Sequence, residues 1–181
     1  MKIKALLTIV VLLTFFSCVN PEPRRPVSHH SGTFMNESVK LNKQINALQD
    51  VAIKYYIAQD SLNEYLLSSD GFRYAYIHQI KDDREQPRID DEVFFEYEIS
   101  DLSNTILYSY EELGKNRYLI DKEDVESGLQ NGLKLMKEGE EMKFIFPSFK
   151  AFGFSGDQER IGVNQPLIYN VKLNKIVNEN N

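Results

Sequence analysis

The stretch from Gly128 to Gly153, GLQNGLKLMKEGEEMKFIFPSFKAFG, constrains the fold more than any other part of this chain. Val125, Leu129, Leu133 and Met136 recur at steps of four, four and three, which predicts one face of an α-helix. Gly128 and Gly132 sit one turn apart on a neighbouring line. A glycine costs about 1 kcal/mol in a helix interior, so two at this spacing imply close packing against a sheet. Lys134 and Lys137 lie near the helix end, where cations suit the dipole. Gly139 is expected to stop the helix in a left-handed conformation. Met142, Phe144 and Phe146 then alternate with Lys143 and Ile145, a strand pattern that Pro147 ends. Pattern alone therefore supports a generic helix-to-strand unit.

The remainder of the 181 residues is enough for one ordinary domain with extensions. A formal net charge of −6, without a basic stripe interleaved with aromatics, excludes nucleic acid as the expected partner. Ten tyrosines and eleven phenylalanines, with no tryptophan, can line a core or an aromatic pocket. The single cysteine excludes an intrachain disulfide and a multi-cysteine metal site.

Residues 1–17 read as a lipoprotein signal peptide. Lys2 and Lys4 form a positive n-region, and Ala5 to Phe16 is an apolar segment of signal-peptide length. Phe15-Phe16-Ser17-Cys18 resembles a bacterial lipobox, with acylation expected on Cys18. Each buried CH₂ of an acyl chain contributes about 0.8 kcal/mol, so multiple chains would anchor the protein in a membrane. No acidic cluster follows Cys18, and the expected location is the cell envelope, facing the periplasm. Residues 18–35, rich in proline and polar residues, read as a disordered tether in which His29 and His30 are solvated.

Residues 36–69 read as an amphipathic helical segment. Leu41, Ile45, Leu48, Ala52, Tyr55, Leu62 and Leu66 form a three-four seam, broken only by Gln59, opposite Lys43, Asn46, Asp50, Lys54 and Ser61. The seam either packs on its own domain or joins a second copy in a homodimer through residues 36–66. Residues 70–178 then read as one α+β domain, an antiparallel sheet with one short helix. Its first strand is expected over 71–79 and its core over 92–177. Alternation marks Phe72 to His78, Val93 to Ile99 and Leu167 to Leu173 as strands, with shorter ones at Ile106–Tyr108 and Tyr118–Ile120. Glu138, Glu140 and Glu141 read as a solvated turn.

The chain holds no nucleophile motif, phosphate-binding glycine loop, HExxH sequence or calcium loop. No cofactor and no metal are expected. A reaction that needs only a shaped apolar pocket fits this inventory.

Gly128-Leu129, Gly132-Leu133, Met136, Gly139-Glu140, Pro147, Ala151-Phe152-Gly153 and the strand Leu167 to Leu173 resemble the FKBP-type peptidyl-prolyl isomerases. More narrowly, Asp70-Gly71-Phe72, Glu98-Ile99, Asp101-Leu102, Glu112-Leu113-Gly114 and Gly156-Asp157 resemble the GldI group, the gliding-motility-associated FKBP-type lipoproteins of the Bacteroidetes. The resemblance implies a sheet wrapped around the short helix, with the substrate proline entering between them. It implies that Tyr97, Leu107, Phe152 and Tyr169 form the catalytic pocket. Tyr118, Val125, Glu126, Leu129 and Ile161 would bind substrate, Glu126 through its main-chain N–H. Partners would be proline-containing unfolded or envelope proteins. Several positions depart from the family. Leu129 stands where Trp is usual, Phe152 where a Tyr donates a hydrogen bond to the bound peptide, Tyr108 where Asp is usual, and Gly162 where Pro is usual. Glu126 replaces a pocket Ile. Each departure is expected to weaken ligand binding or transition-state contacts.

Overall fold

The computed structural model describes residues 31–178, with side chains from residue 35. The signal peptide, the Cys18 acylation site and the greater part of the tether lie outside the described residues. All packing given below belongs to Ser38–Asn181, the larger of two compact units.

The concave side of a single sheet organises this unit. Seven antiparallel strands run β1 (Leu66–Leu67), β2 (Arg73–His78), β3 (Glu92–Ser100), β4 (Ile106–Tyr108), β5 (Asn116–Leu119), β6 (Glu141–Phe146) and β7 (Leu167–Val177). Their spatial order is β1-β2-β6-β7-β3-β4, and β5 also pairs with β3. β7 is central, pairing with β6 from Phe146↔Leu167 and with β3 from Ser100↔Ile168. Because side chains alternate along a strand, Met142, Phe144 and Phe146 on β6 join Leu167, Tyr169, Val171 and Leu173 on β7 in one fully buried cluster. This is the α+β, FKBP-like arrangement expected.

A seven-residue helix, Ser127–Leu133, crosses that concave face. The two glycines are where the helix meets the sheet. A Cβ on Gly128 would lie 2.6 Å from the Lys150 carbonyl oxygen and 2.7 Å from the Phe146 ring. One on Gly132 would lie 3.2 Å from Phe144. The expected close approach is therefore present, and it is tightest at Gly128. The helix stops earlier than the pattern predicts. After Leu133 the chain tightens into i→i−3 bonds from Leu135 to Gly132 and from Met136 to Leu133, which keeps Met136 buried without another α-turn. Gly139 follows with φ of +88°, and its N–H donates to the Leu173 carbonyl. Glu140 is not solvated. It is 2 % exposed, and its carboxylate accepts the main-chain N–H groups of Ile80 and Lys137.

A long helix, α1 (Ser31–Gln59), starts and ends before the expected bounds. No proline follows Pro26 to interrupt it, so helix replaces the last residues of the expected tether. At the other end Asp60 accepts the Leu62 N–H and side-chain bonds from Asn63 and Tyr65, redirecting the chain. Leu66 consequently lies in β1, and Ser68 to Gly71 turn a hairpin into β2 rather than ending a helix. The face that packs also differs from the expected seam. Ile53 and Tyr56 pack with Ile145 and Ile168 on the outer side of the sheet, with Gln49 buried on the same stripe. Leu41, Leu48 and Tyr55 are exposed at 55 %, 71 % and 69 %. Successive helical residues are 100° apart, and the packed stripe follows the seam by one residue because polar Gln49 belongs to it. Two further helical pieces are short: α2 (Tyr110–Leu113), closed by a Ser109–Glu112 capping box, and the helix on the concave face, hereafter α3.

Candidate functional site

One side of the sheet gathers apolar residues from six places in the chain. β3 contributes Tyr97, β4 contributes Leu107, and the approach to α3 contributes Val125. α3 places Leu129 beneath them, 2 % exposed. The loop after β6 carries Phe152 and Ile161, and β7 supplies Tyr169. All of these belong to one apolar cluster in which Leu129, Ile161 and Tyr169 are buried and Tyr97, Leu107, Val125 and Phe152 half-buried. Tyr97 stacks on Tyr169 with ring centroids 5.7 Å apart and planes at 17°. Phe146 meets Tyr169 edge-on at 5.1 Å. Burial raises the pKa of both hydroxyls, that of Tyr169 well above the usual tyrosine range, and the Glu126 carboxylate adds to both shifts. Both are therefore neutral donors at any physiological pH.

Of the other two expected residues, Tyr118 belongs to the same apolar cluster and Glu126 does not. Tyr118 is 1 % exposed and sits in the core, where its hydroxyl accepts the Asp121 main-chain N–H at 3.2 Å. Glu126 immediately precedes α3, half-buried, with φ of −55° and ψ of 132°. Its carbonyl accepts from Gln130 as the helix starts, and its N–H finds no acceptor among the described residues.

Sequence reasoning missed the residues that hold the site's loops. Asp157 binds the 153–163 loop together. One carboxylate oxygen accepts the N–H groups of Glu159, Arg160 and Ile161 at 2.9, 3.0 and 2.8 Å, and the other accepts the Tyr108 hydroxyl. Desolvation alone would raise its pKa, but these hydrogen bonds prevail and hold it at about 2. The same bond, first among the causes, pushes the Tyr108 hydroxyl up to about 12. Arg160 then lies over the Tyr108 ring at 4.7 Å and donates to the Leu107 carbonyl and to Glu112. The loop carrying Ile161 is thus fastened to the strand carrying Leu107. Tyr108 forgoes a carboxylate on β4, and Asp157 supplies one from the facing loop. The motif Gly156-Asp157 was the available signal, but neither its partner nor the role of Arg160 is visible in spacing.

A second tie reaches from α1. The buried Gln49 amide donates to the Ser148 hydroxyl at 2.8 Å and to the Asn164 carbonyl at 3.0 Å, and accepts the Ser148 N–H at 2.8 Å. Ser148 opens the short 3-10 turn before Phe152, and Asn164 follows Ile161. Both ends of the pocket loop are therefore pinned from behind by one side chain.

What this arrangement offers is a margin of half-buried apolar side chains with the stacked Tyr97 and Tyr169 rings behind it, and no nucleophile among them. Among the described residues there is no cluster of metal-ligating side chains. Comparison with known proteins agrees with the architecture. The FKBP-type peptidyl-prolyl cis-trans isomerase pattern matches residues 83–174. A relative from Neisseria meningitidis serogroup B, described as a probable FKBP-type peptidyl-prolyl cis-trans isomerase FkpA, is 33 % identical over 109 residues. That match covers 60 % of this chain but only 39 % of the relative, so the chain spans about two fifths of that protein's length. Two crystal structures share the fold. FkpA from Escherichia coli has a TM-score of 0.60 at 20 % identity, covering 98 % of this chain and 83 % of that one. A peptidyl-prolyl cis-trans isomerase from Pseudomonas syringae pv. tomato has a TM-score of 0.57 at 18 % identity, covering 71 % and 92 %. With the pattern matched over half its length and the sheet wrapped around α3 as the pattern implies, the chain belongs to the FKBP-type peptidyl-prolyl cis-trans isomerase family.

Proposed function

We propose that the chain is a prolyl isomerase that binds the Xaa-Pro amide in its twisted state. The observation that carries this reading is that Tyr97, Leu107 and Phe152 lie half-buried on the margin of the one apolar core that holds Leu129 and Tyr169. The barrier to rotation is about 18–20 kcal/mol because resonance holds the peptide planar. At Xaa-Pro the two isomers lie within about 1 kcal/mol but exchange in tens of seconds or longer. Twisting ends the conjugation and makes the carbonyl less polar. A dry, aromatic-walled slot then favours the twisted amide over the solvated planar one, by differential binding. Val125 and Ile161 flank the slot, and the Glu126 main-chain N–H would hold a peptide carbonyl. No proton transfer is required.

The biological setting we propose follows the closer resemblance to the GldI group. Cys18, acylated, anchors the chain in the cell envelope facing the periplasm, where it acts on proline-containing unfolded or envelope proteins, gliding machinery included. Labelled palmitate should be incorporated and should be lost in Cys18→Ala; incorporation that survives this change contradicts the anchor. A homodimer through α1 is the matching proposal for the exposed seam at Leu41, Leu48 and Tyr55. Light scattering at two concentrations tests it, and a monomer at both sinks it.

A second reading, a non-catalytic binding module in an envelope motility or secretion complex, is favoured by Leu129 and Phe152. A smaller floor and a missing hydroxyl reduce what the slot can grip. Loss of one peptide hydrogen bond costs about 0.5–1.5 kcal/mol net. A protease-free assay of proline isomerisation separates the two: rates indistinguishable from buffer, with peptide and unfolded-protein substrates, select the binding module.

A further inference from the structure

The Tyr169 hydroxyl is buried and has no hydrogen-bond partner among the described residues. Buried polar atoms are nearly always paired, and an orphan calls for a physical explanation. Leaving one unmade costs the folded protein the desolvation of that group without return. Phenylalanine at this position would keep the stack on Tyr97 and the edge contact on Phe146 and avoid that cost. The hydroxyl is therefore the part of residue 169 that packing does not explain.

Its surroundings point to the slot. Tyr169 belongs to the core cluster, with Tyr97 stacked beside it and Phe146 edge-on to it. Burial first, and then the nearby Glu126, Tyr97 and Asp157, keep this hydroxyl protonated. The residues between this cluster and solvent, Tyr97, Leu107, Val125 and Phe152, are half-buried. Tyr169 is itself fully buried, so a substrate reaches its hydroxyl only by parting them. The other orphan atom, Asn170 Oδ1, belongs to an amide already bonded to Glu98 and points to the opposite side of β7 by strand alternation.

Phe152, on the loop side, has no polar atom to offer. We propose that the Tyr169 hydroxyl is the buried donor of the slot, and that it donates a hydrogen bond to a backbone carbonyl oxygen of the bound Xaa-Pro segment. This rests on the isomerase reading and deepens it, by giving the slot a specificity element on β7. A carbonyl on a peptide unit that flanks the rotating amide keeps its polarity while that amide twists, so the contact acts on binding in both states and shows in KM rather than in kcat.

The test is Tyr169→Phe in the full chain, with three readouts: thermal midpoint without substrate, steady-state isomerisation of an Ala-Leu-Pro-Phe peptide, and affinity for that peptide by calorimetry. The expected result is an unchanged or higher midpoint, a KM and Kd raised about three- to tenfold, and a kcat within about twofold of the parent. An unchanged KM and Kd overturns the proposal and leaves the isomerase reading standing. A midpoint lowered by several degrees also overturns it, since the hydroxyl would then have an internal partner such as the Glu126 carboxylate. If the parent chain binds the peptide without isomerising it and Tyr169→Phe binds it less tightly, the donor stands and the isomerase reading falls.

Discussion

The two faces of the sheet are held in different ways. On the concave side the short helix α3 is pressed against Phe144 and Phe146 by two glycines, and the cluster around them is large, aromatic and almost wholly apolar. On the outer side the 29-residue helix α1 buries only a narrow stripe. There the ties are polar: Gln49 to Ser148 and Asn164, Tyr56 to Asn104, and Lys143 to Asp60. Asp60 shows how far these ties are optimised. Desolvation would raise its pKa, but hydrogen bonds from Asn63 and Tyr65 and the charge of Lys143 hold it at about 2. The concave side thus defines the slot by packing, whereas the outer side positions its loops by a few directed bonds. Fold and candidate chemistry share one face, and Gln49 links the other face to the loops of that chemistry.

The largest expected effect breaks the packed side. Phe144→Ala removes a fully buried ring from beneath Gly132 and should cost about 3–5 kcal/mol, measured by urea denaturation. Ile53→Ala on the outer side should cost about 2 kcal/mol, the low end for such a truncation, because the small cluster there can collapse onto the gap. If the two costs prove equal, the contrast between the faces fails. Gln49→Leu sharpens it. It leaves the Ser148 N–H and hydroxyl without their partner, and should cost about 1–3 kcal/mol. It should also lower kcat/KM several-fold by loosening both ends of the loop that carries Phe152 and Ile161. A stability loss with no change in kcat/KM would confine α1 to scaffolding.

The site loop carries a pH dependence of its own. The Asp157 carboxylate is depressed from 3.8 to about 2, so its contribution is fully present above pH 3.8. It is lost as pH falls through about 2. Hydrogen exchange of the Glu159, Arg160 and Ile161 amides should therefore be unchanged between pH 7 and 5 after correction for intrinsic rates, and Asp157→Asn should lose that protection at neutral pH. Smallest of all, Leu48→Lys on the exposed seam should change monomer stability by no more than about 0.5 kcal/mol. Analytical ultracentrifugation would detect any effect on assembly separately.

The concave side was legible in the sequence because its signals are steric and local. Gly128 and Gly132 announce a close approach, Gly139 a left-handed stop, and the alternation of Met142, Phe144 and Phe146 an inward face. The outer side was not legible for the same kind of reason. Its buried stripe carries Gln49 and Tyr56, so a reading that weighs only apolar residues selects the neighbouring line of Leu41, Leu48 and Tyr55. The apolar period also runs on through Leu62 and Leu66, past the Asp60 hydrogen bonds that end α1. Glu140 and Asp157 look like surface acids until the backbone N–H groups that they accept are brought to them by folding. Long-range polar ties such as Gln49 to Ser148, Tyr108 to Asp157 and Arg160 to Leu107 have no periodicity.

The central claim is that the slot on the concave face is the place where an Xaa-Pro bond is isomerised. The most direct measurement is the proline-limited refolding rate of an unfolded protein in the presence of the chain and of its Tyr97→Ala/Phe152→Ala variant, with circular dichroism confirming that the variant is folded. Catalysed refolding by the parent that falls by at least tenfold in the variant is the predicted result. Refolding at the uncatalysed rate with the parent, or full catalysis by the folded variant, would contradict it.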